Sequence, residues 1–103
     1  MTDGDEPLPK EQAQQCFKDA MCSGSYLLTD HARKRMRERE ITTNDLLNLG
    51  RMGLVLRDAE RHAVTNDWTY QMECKAPEIR AVFTVEEHFR IRIRIVTVID
   101  DRD

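Results

Sequence analysis

His31, Arg35 and Arg39 recur at four-residue spacing in the segment His31-Ala32-Arg33-Lys34-Arg35-Met36-Arg37-Glu38-Arg39. On a helix that spacing sets all three along one stripe. An imidazole that titrates near neutrality gives or takes a proton, and an arginine beside it neutralises a transferring phosphate. The stripe runs next to the apolar positions Leu28, Ala32 and Met36, so it borders the core, whereas Arg33 and Arg37 read as ordinary solvated charge. The same position also admits a plainer role for His31, capping or packing near the start of the helix.

A second constellation lies towards the C-terminus. With Glu86, Glu87 and His88 as a hairpin loop, Thr84 faces Arg90, Val82 faces Arg92 and Arg80 faces Arg94. Like charges directly opposite one another in a sheet are unfavourable unless an anion lies between them, so Arg80, Arg92 and Arg94 read as a phosphate-binding surface. The alternative is a solvated edge with salt bridges to Glu73 and Glu78, its arginines guarding the strands against aggregation.

Other chemistries are poorly served. Cys16, Cys22, Cys74, His31, His62 and His88 contain no Cys-x-x-Cys or His-x-x-x-His pair, and Cys16 and Cys74 fall on apolar faces, so no metal and no cofactor is expected. There is no glycine-rich phosphate loop and no Ser/His/Asp signature. Trp68 and Tyr70 start a strand on its apolar face and read as core, although Tyr70 keeps a hydroxyl able to reach out.

The elements that must position these residues follow from patterning. The chain has 103 residues, 40% apolar and 34% charged, which is one small domain and excludes two. Three cysteines and no apolar leader argue against a secreted disulfide scaffold, and no apolar run is long enough to span a membrane, so a cytoplasmic protein is expected. Six acids at the two ends, offset by Arg102, leave residues 7–99 net positive although the whole chain is −3. Arginine dominates the basic residues and clusters between Arg33 and Arg39, which points to a polyanion partner.

Residues 1–8 read as a disordered acidic leader, 9–99 as one domain and 100–103 as an acidic tail. A first helix is predicted over 9–22, with Pro9 at its first position and Gly24 as its stop. Thr29 or Asp30 caps a second helix, and Thr42 with Asp45 opens a third through Leu46, Leu47 and Leu49 to Gly53. The period then changes to two: a strand over 54–58, one from Trp68, one from Ile79, and a last one with Phe89, Ile91, Ile93, Ile95 and Ile99 on one side. The expected fold is α+β, with N-terminal helices packed on about four antiparallel strands.

The segment from Leu28 to Arg39, with Ile41-Thr42, the Leu-rich helix ending at Gly53, Trp68-Thr69-Tyr70 and Ile95-Val96-Thr97-Val98, resembles a bacterial domain-of-unknown-function family whose hallmark is H-A-x-x-R-M-x-E-R-G-I. Glu40 stands here in place of the hallmark glycine, which implies a tighter turn or a second helix that runs on. That family looks like a branch of the RelE and BrnT toxin superfamily, small endoribonucleases paired with zinc-finger or helix-turn-helix antitoxins. The resemblance implies a RelE/BrnT-like domain and metal-independent RNA cleavage, in which the RNA's own 2′-hydroxyl attacks the neighbouring phosphate. The motif positions that carry over are His31, as acid or base, with Arg35, Arg39 and Thr97; the arginines of the sheet pattern would join them, Arg92 completing the catalytic set with Arg35, and Arg80 and Arg94 holding RNA beside Arg39 and Thr97. The same basic face also fits a binding module that docks a protein partner or nucleic acid without cutting it.

Overall fold

A computed structural model describes residues 6–75, 78–86 and 91–101. The chain runs α1 (Lys10–Ser23), β1 (Tyr26–Leu28), α2 (Asp30–Glu38), α3 (Thr43–Met52), β2 (Leu54–Val55), β3 (Glu60–Arg61), β4 (Trp68–Glu73), β5 (Ile79–Val85) and β6 (Ile93–Asp100). The architecture is α+β, but the sheet is mixed and larger than expected. Its strand order is β1-β6-β5-β4-β2, with β3 pairing to β4 off that path. β1 runs parallel to β6, and the other pairings are antiparallel.

The helices begin where local chemistry allows. Pro9 is the cap of α1 rather than its first residue, because its ψ of 151° is extended. The Thr29 hydroxyl accepts from Ala32 N–H and starts α2. Thr42 and Asp45 exchange side-chain and backbone hydrogen bonds at 3.2 and 2.9 Å, the reciprocal capping box that opens α3. α3 ends against a close approach: a Cβ on Gly53 would lie 2.5 Å from the Leu49 carbonyl oxygen and 3.1 Å from that of Glu73. Only glycine lets the chain turn there from helix into β2.

Between α2 and α3 the chain keeps the conformation that a glycine would prefer. Glu40 has φ 55°. Ile41 N–H donates to the Met36 carbonyl at 2.8 Å and Glu40 N–H to that of Arg37 at 3.3 Å, a Schellman closure in which the buried Met36 and Ile41 form the apolar clasp. So α2 neither runs on nor tightens, and Glu40 carries the left-handed strain. We expect Glu40→Gly to raise stability by about 0.5–1 kcal/mol, the penalty of a Cβ at positive φ less the added freedom of the unfolded chain. Thermal unfolding of the variant should move up by a few degrees, and a lower midpoint would show the turn to be unstrained.

The core lies between the helices and one face of the sheet. Phe83 sits at its centre, 5.0 Å from the Phe17 ring of α1 and 5.6 Å from that of Tyr70, with Leu46 and Leu49 of α3 fully buried. Leu47, which the pattern placed among the helix's apolar residues, stays 38% exposed. The opposite face of the sheet carries the cross-strand row Gln71, Val82 and Thr97, all half-buried.

β5 and β6 pair in a register different from the expected one. Arg80 faces Ile99, Val82 faces Thr97 and Thr84 faces Arg94, so Arg80 and Arg94 do not stand side by side. The connection is longer than three residues: Glu86 N–H donates to the Arg92 carbonyl, and the segment 87–90, which holds His88, Phe89 and Arg90, lies outside the described residues. A bulge between Val82 and Phe83 leaves Val96 as the extra residue on β6 and switches its phase. Ile93 and Ile95 face the core before it and Val98 after it, which puts Ile99 beside Arg80 on the other face. The carbonyl of Val96 accepts from the Thr29 hydroxyl at 2.8 Å, and Thr29 N–H donates to Ile95 at 3.1 Å, so the start of α2 is pinned to the bulge. The predicted strand over 54–58 is regular only at Leu54–Val55, where Gln14 of α1 accepts from Val55 N–H.

Candidate nucleic-acid interface

α2 is the most densely cationic element. Arg33, Lys34, Arg35, Arg37 and the capping Arg39 stand against only Asp30 and Glu38, and all seven are exposed. Ala32 and Met36 point inward. At 100° per residue this turns His31 and Arg35 to one side of the helix and Arg33 and Arg37 to the other, with Lys34 pointing straight out between them. The expected distinction between a half-buried stripe and solvated Arg33 and Arg37 is absent: the Arg35 side chain is 44% exposed and that of Arg33 55%. Their ion pairs are long and local, Arg35 with Glu38 at 3.9 Å and Arg33 with Asp30 at 3.6 Å. Exposed pairs of this kind contribute little and leave the cations available.

His31 is exposed on the first turn of α2 and makes no hydrogen bond or ion pair among the described residues. It neither caps the helix, since Thr29 does that, nor packs in the core. Arg39 is exposed at the C-cap of α2, where its N–H closes on the Arg35 carbonyl.

The arginines of the strands are dispersed. Arg80 donates from Nε and Nη2 to the two carboxylate oxygens of Asp101, at 2.9 and 3.2 Å, and from Nη1 to Gln71 Oε1 at 2.9 Å. Its side chain is only 20% exposed, and the hydrogen bonds to Asp101 hold the guanidinium still more firmly protonated than usual. Asp101, assigned from sequence to the tail, therefore sits in the place a phosphate would take. Arg94 lies 3.8 Å from Glu86, whose other oxygen accepts from the buried Thr84 hydroxyl at 2.8 Å. Burial pushes the pKa of the Cys16 thiol on α1 up; Arg92, exposed before β6, opposes this less strongly, and Asp19 adds a smaller push upward. Thr97 is half-buried beside Val82.

Two rings have defined tasks. The Tyr70 hydroxyl accepts from Leu8 N–H at 2.9 Å, tying down the N-terminal approach to α1, and burial pushes its pKa up. Trp68 is covered by the Arg61 guanidinium, 4.6 Å from its ring centre. Among the described residues no group of three or more His, Cys, Asp or Glu side chains could hold a metal ion, and no helix is long and apolar enough to cross a membrane.

Sequence reasoning missed two features that shape this surface. β1 is three residues long, too short for alternation to register, and its parallel partner is far along the chain. The Arg80–Asp101 pair is equally non-local, with the short run Asp100-Asp101 as the available signal. A family model described as a domain of unknown function, DUF4258, matches residues 28–100. Neither the curated proteins nor the solved structures give a match.

Proposed function

The chain belongs to the family described as a domain of unknown function, DUF4258, and from the surface that its α2 presents we propose that it binds RNA through phosphate contacts of that helix. The observation that carries this reading is the exposed cationic face of α2, where Lys34, Arg35 and Arg39 lie beside His31 on an element pinned to the sheet by Thr29. The strand arginines contribute less, because Arg80 already holds a carboxylate in two-point geometry.

A labelled single-stranded RNA titrated with the full chain tests this. About three phosphate contacts imply a slope of about −2 in log affinity against log salt, a loss of about 20-fold between about 50 and 200 mM. RNA binding that is undetectable at the lower salt, or insensitive to salt, would overturn the assignment.

His31 favours a second reading, the endoribonuclease toxin of a RelE/BrnT-like type II system with a zinc-finger or helix-turn-helix antitoxin as cognate partner. An exposed imidazole with no partner among the described residues, on the same side of α2 as Arg35, supports proton exchange with a substrate arriving from solvent. In that chemistry the 2′-hydroxyl loses its proton and bonds to phosphorus, the 5′-oxygen leaves and is protonated, and Arg35 stabilises the charge between them. Incubating the same RNA with the chain and a chelator, then resolving the products, separates binding from cutting.

A further inference from the structure

The other flank of α2 borders a groove of about 610 Å³ whose floor is Leu28, Met36 and Ile41 and whose rim includes Arg33, Arg37 and Thr43. We propose that this groove and the adjoining edge of β1 receive an extended acidic segment of a partner protein, which adds to the sheet as a strand.

Among the described residues β1 ends the sheet, with β6 on one side only. The Ser25 carbonyl accepts from Arg92 N–H and Thr29 N–H donates to Ile95, so Leu27 between them turns its N–H and carbonyl towards β6 and Tyr26 and Leu28 turn theirs to the outer side. An edge with free donors and acceptors is a template for another strand. β2, at the opposite end, is not equivalent, because Gln14 occupies Val55 N–H there. Leu28 belongs both to the free edge and to the groove floor, so a strand paired with β1 would lie along the groove.

The chemistry of the lining selects the occupant. Its floor is aliphatic, with no aromatic ring on which a base could stack, which disfavours single-stranded RNA there. Arg33 and Arg37 sit one turn apart on the rim, and the Arg37 side chain makes no ion pair or hydrogen bond among the described residues. Glu40 is the single acid of the lining. The complementary segment is therefore one in which Asp or Glu alternates with aliphatic residues, the acids meeting Arg33 and Arg37 while the apolar side chains cover Met36 and Ile41.

Random displayed peptides of about twelve residues, selected on the full chain, test the inference directly. The selected set should show acidic and aliphatic residues in alternation, and a synthetic peptide from it should lose affinity at least about tenfold on R33Q/R37Q, whose positions are solvated and leave the helix intact. In the unchanged chain the same peptide should slow amide exchange at Tyr26 and Leu28 at least about tenfold. Selection of peptides without that alternation, affinity unchanged in R33Q/R37Q, or unaltered exchange at both amides would overturn the proposal. Slowing of those two amides by single-stranded RNA instead would assign the edge to nucleic acid. Because RNA binding is assigned to Lys34, Arg35 and Arg39, loss of one activity does not entail loss of the other.

Discussion

Replacing Lys34, Arg35 and Arg39 together by glutamine should lower the affinity for single-stranded RNA about 100-fold at about 0.1 M salt and flatten the salt dependence by about two. Each lost phosphate contact removes about 0.7 of a released counterion, which at that salt concentration is about 0.7 of a decade in affinity. Stability should change little, because all three side chains are exposed and α2 is held by Ala32, Met36 and the Thr29 cap. The instructive comparison is Arg80→Gln. That change breaks a two-point hydrogen-bonded pair at a position 20% exposed, so it should cost about 1 kcal/mol of stability while leaving RNA affinity within a factor of about two. If Arg80→Gln weakens RNA binding as strongly as the triple change, the phosphate surface lies on the sheet and not on α2. Filter binding and a thermal scan on the same preparations separate the two outcomes.

How far the sequence led depended on the range of the interaction concerned. Thr29, the Thr42–Asp45 capping box and Gly53 act within a few residues of themselves, and α2 starts, and α3 starts and stops, where those residues place them. The alternation from Trp68 to Met72 and from Ile79 to Phe83 likewise marks the faces that are buried. What failed was long-range. The register of β5 against β6 depends on a loop whose length the residue pattern does not encode and on a bulge at Val96 that a run of Ile and Val conceals. Slipping that register separated Arg80 from Arg94 and gave each a carboxylate. A cluster of like charges in sequence therefore predicted an anion site, and within the fold the anions are Asp101 and Glu86. Glu40 shows the converse case. The glycine expected there is missing, yet the left-handed turn persists, because the Met36–Ile41 clasp and the closing hydrogen bonds outweigh a strain of about 1 kcal/mol.

His31→Ala is the change that divides a nuclease from a binding module. In a chain that cuts RNA with His31 as acid or base, the substitution should lower the single-turnover rate by about 10²–10⁴-fold while RNA affinity moves by less than about threefold. The fold should be untouched, since the imidazole is exposed and bonds to nothing among the described residues. Arg35→Lys offers a second discrimination. Lysine retains the charge without the planar fork, so an arginine that clamps the transition-state phosphate should lose rate in that variant with little loss of binding, whereas an arginine that only attracts RNA should lose neither. A chain that binds RNA with the expected salt slope and leaves it intact in the presence of chelator is a binding module, and His31→Ala then changes no rate at all. Cutting that survives His31→Ala undiminished would instead move the proton transfer to another group, with α2 retained only as the phosphate-binding face.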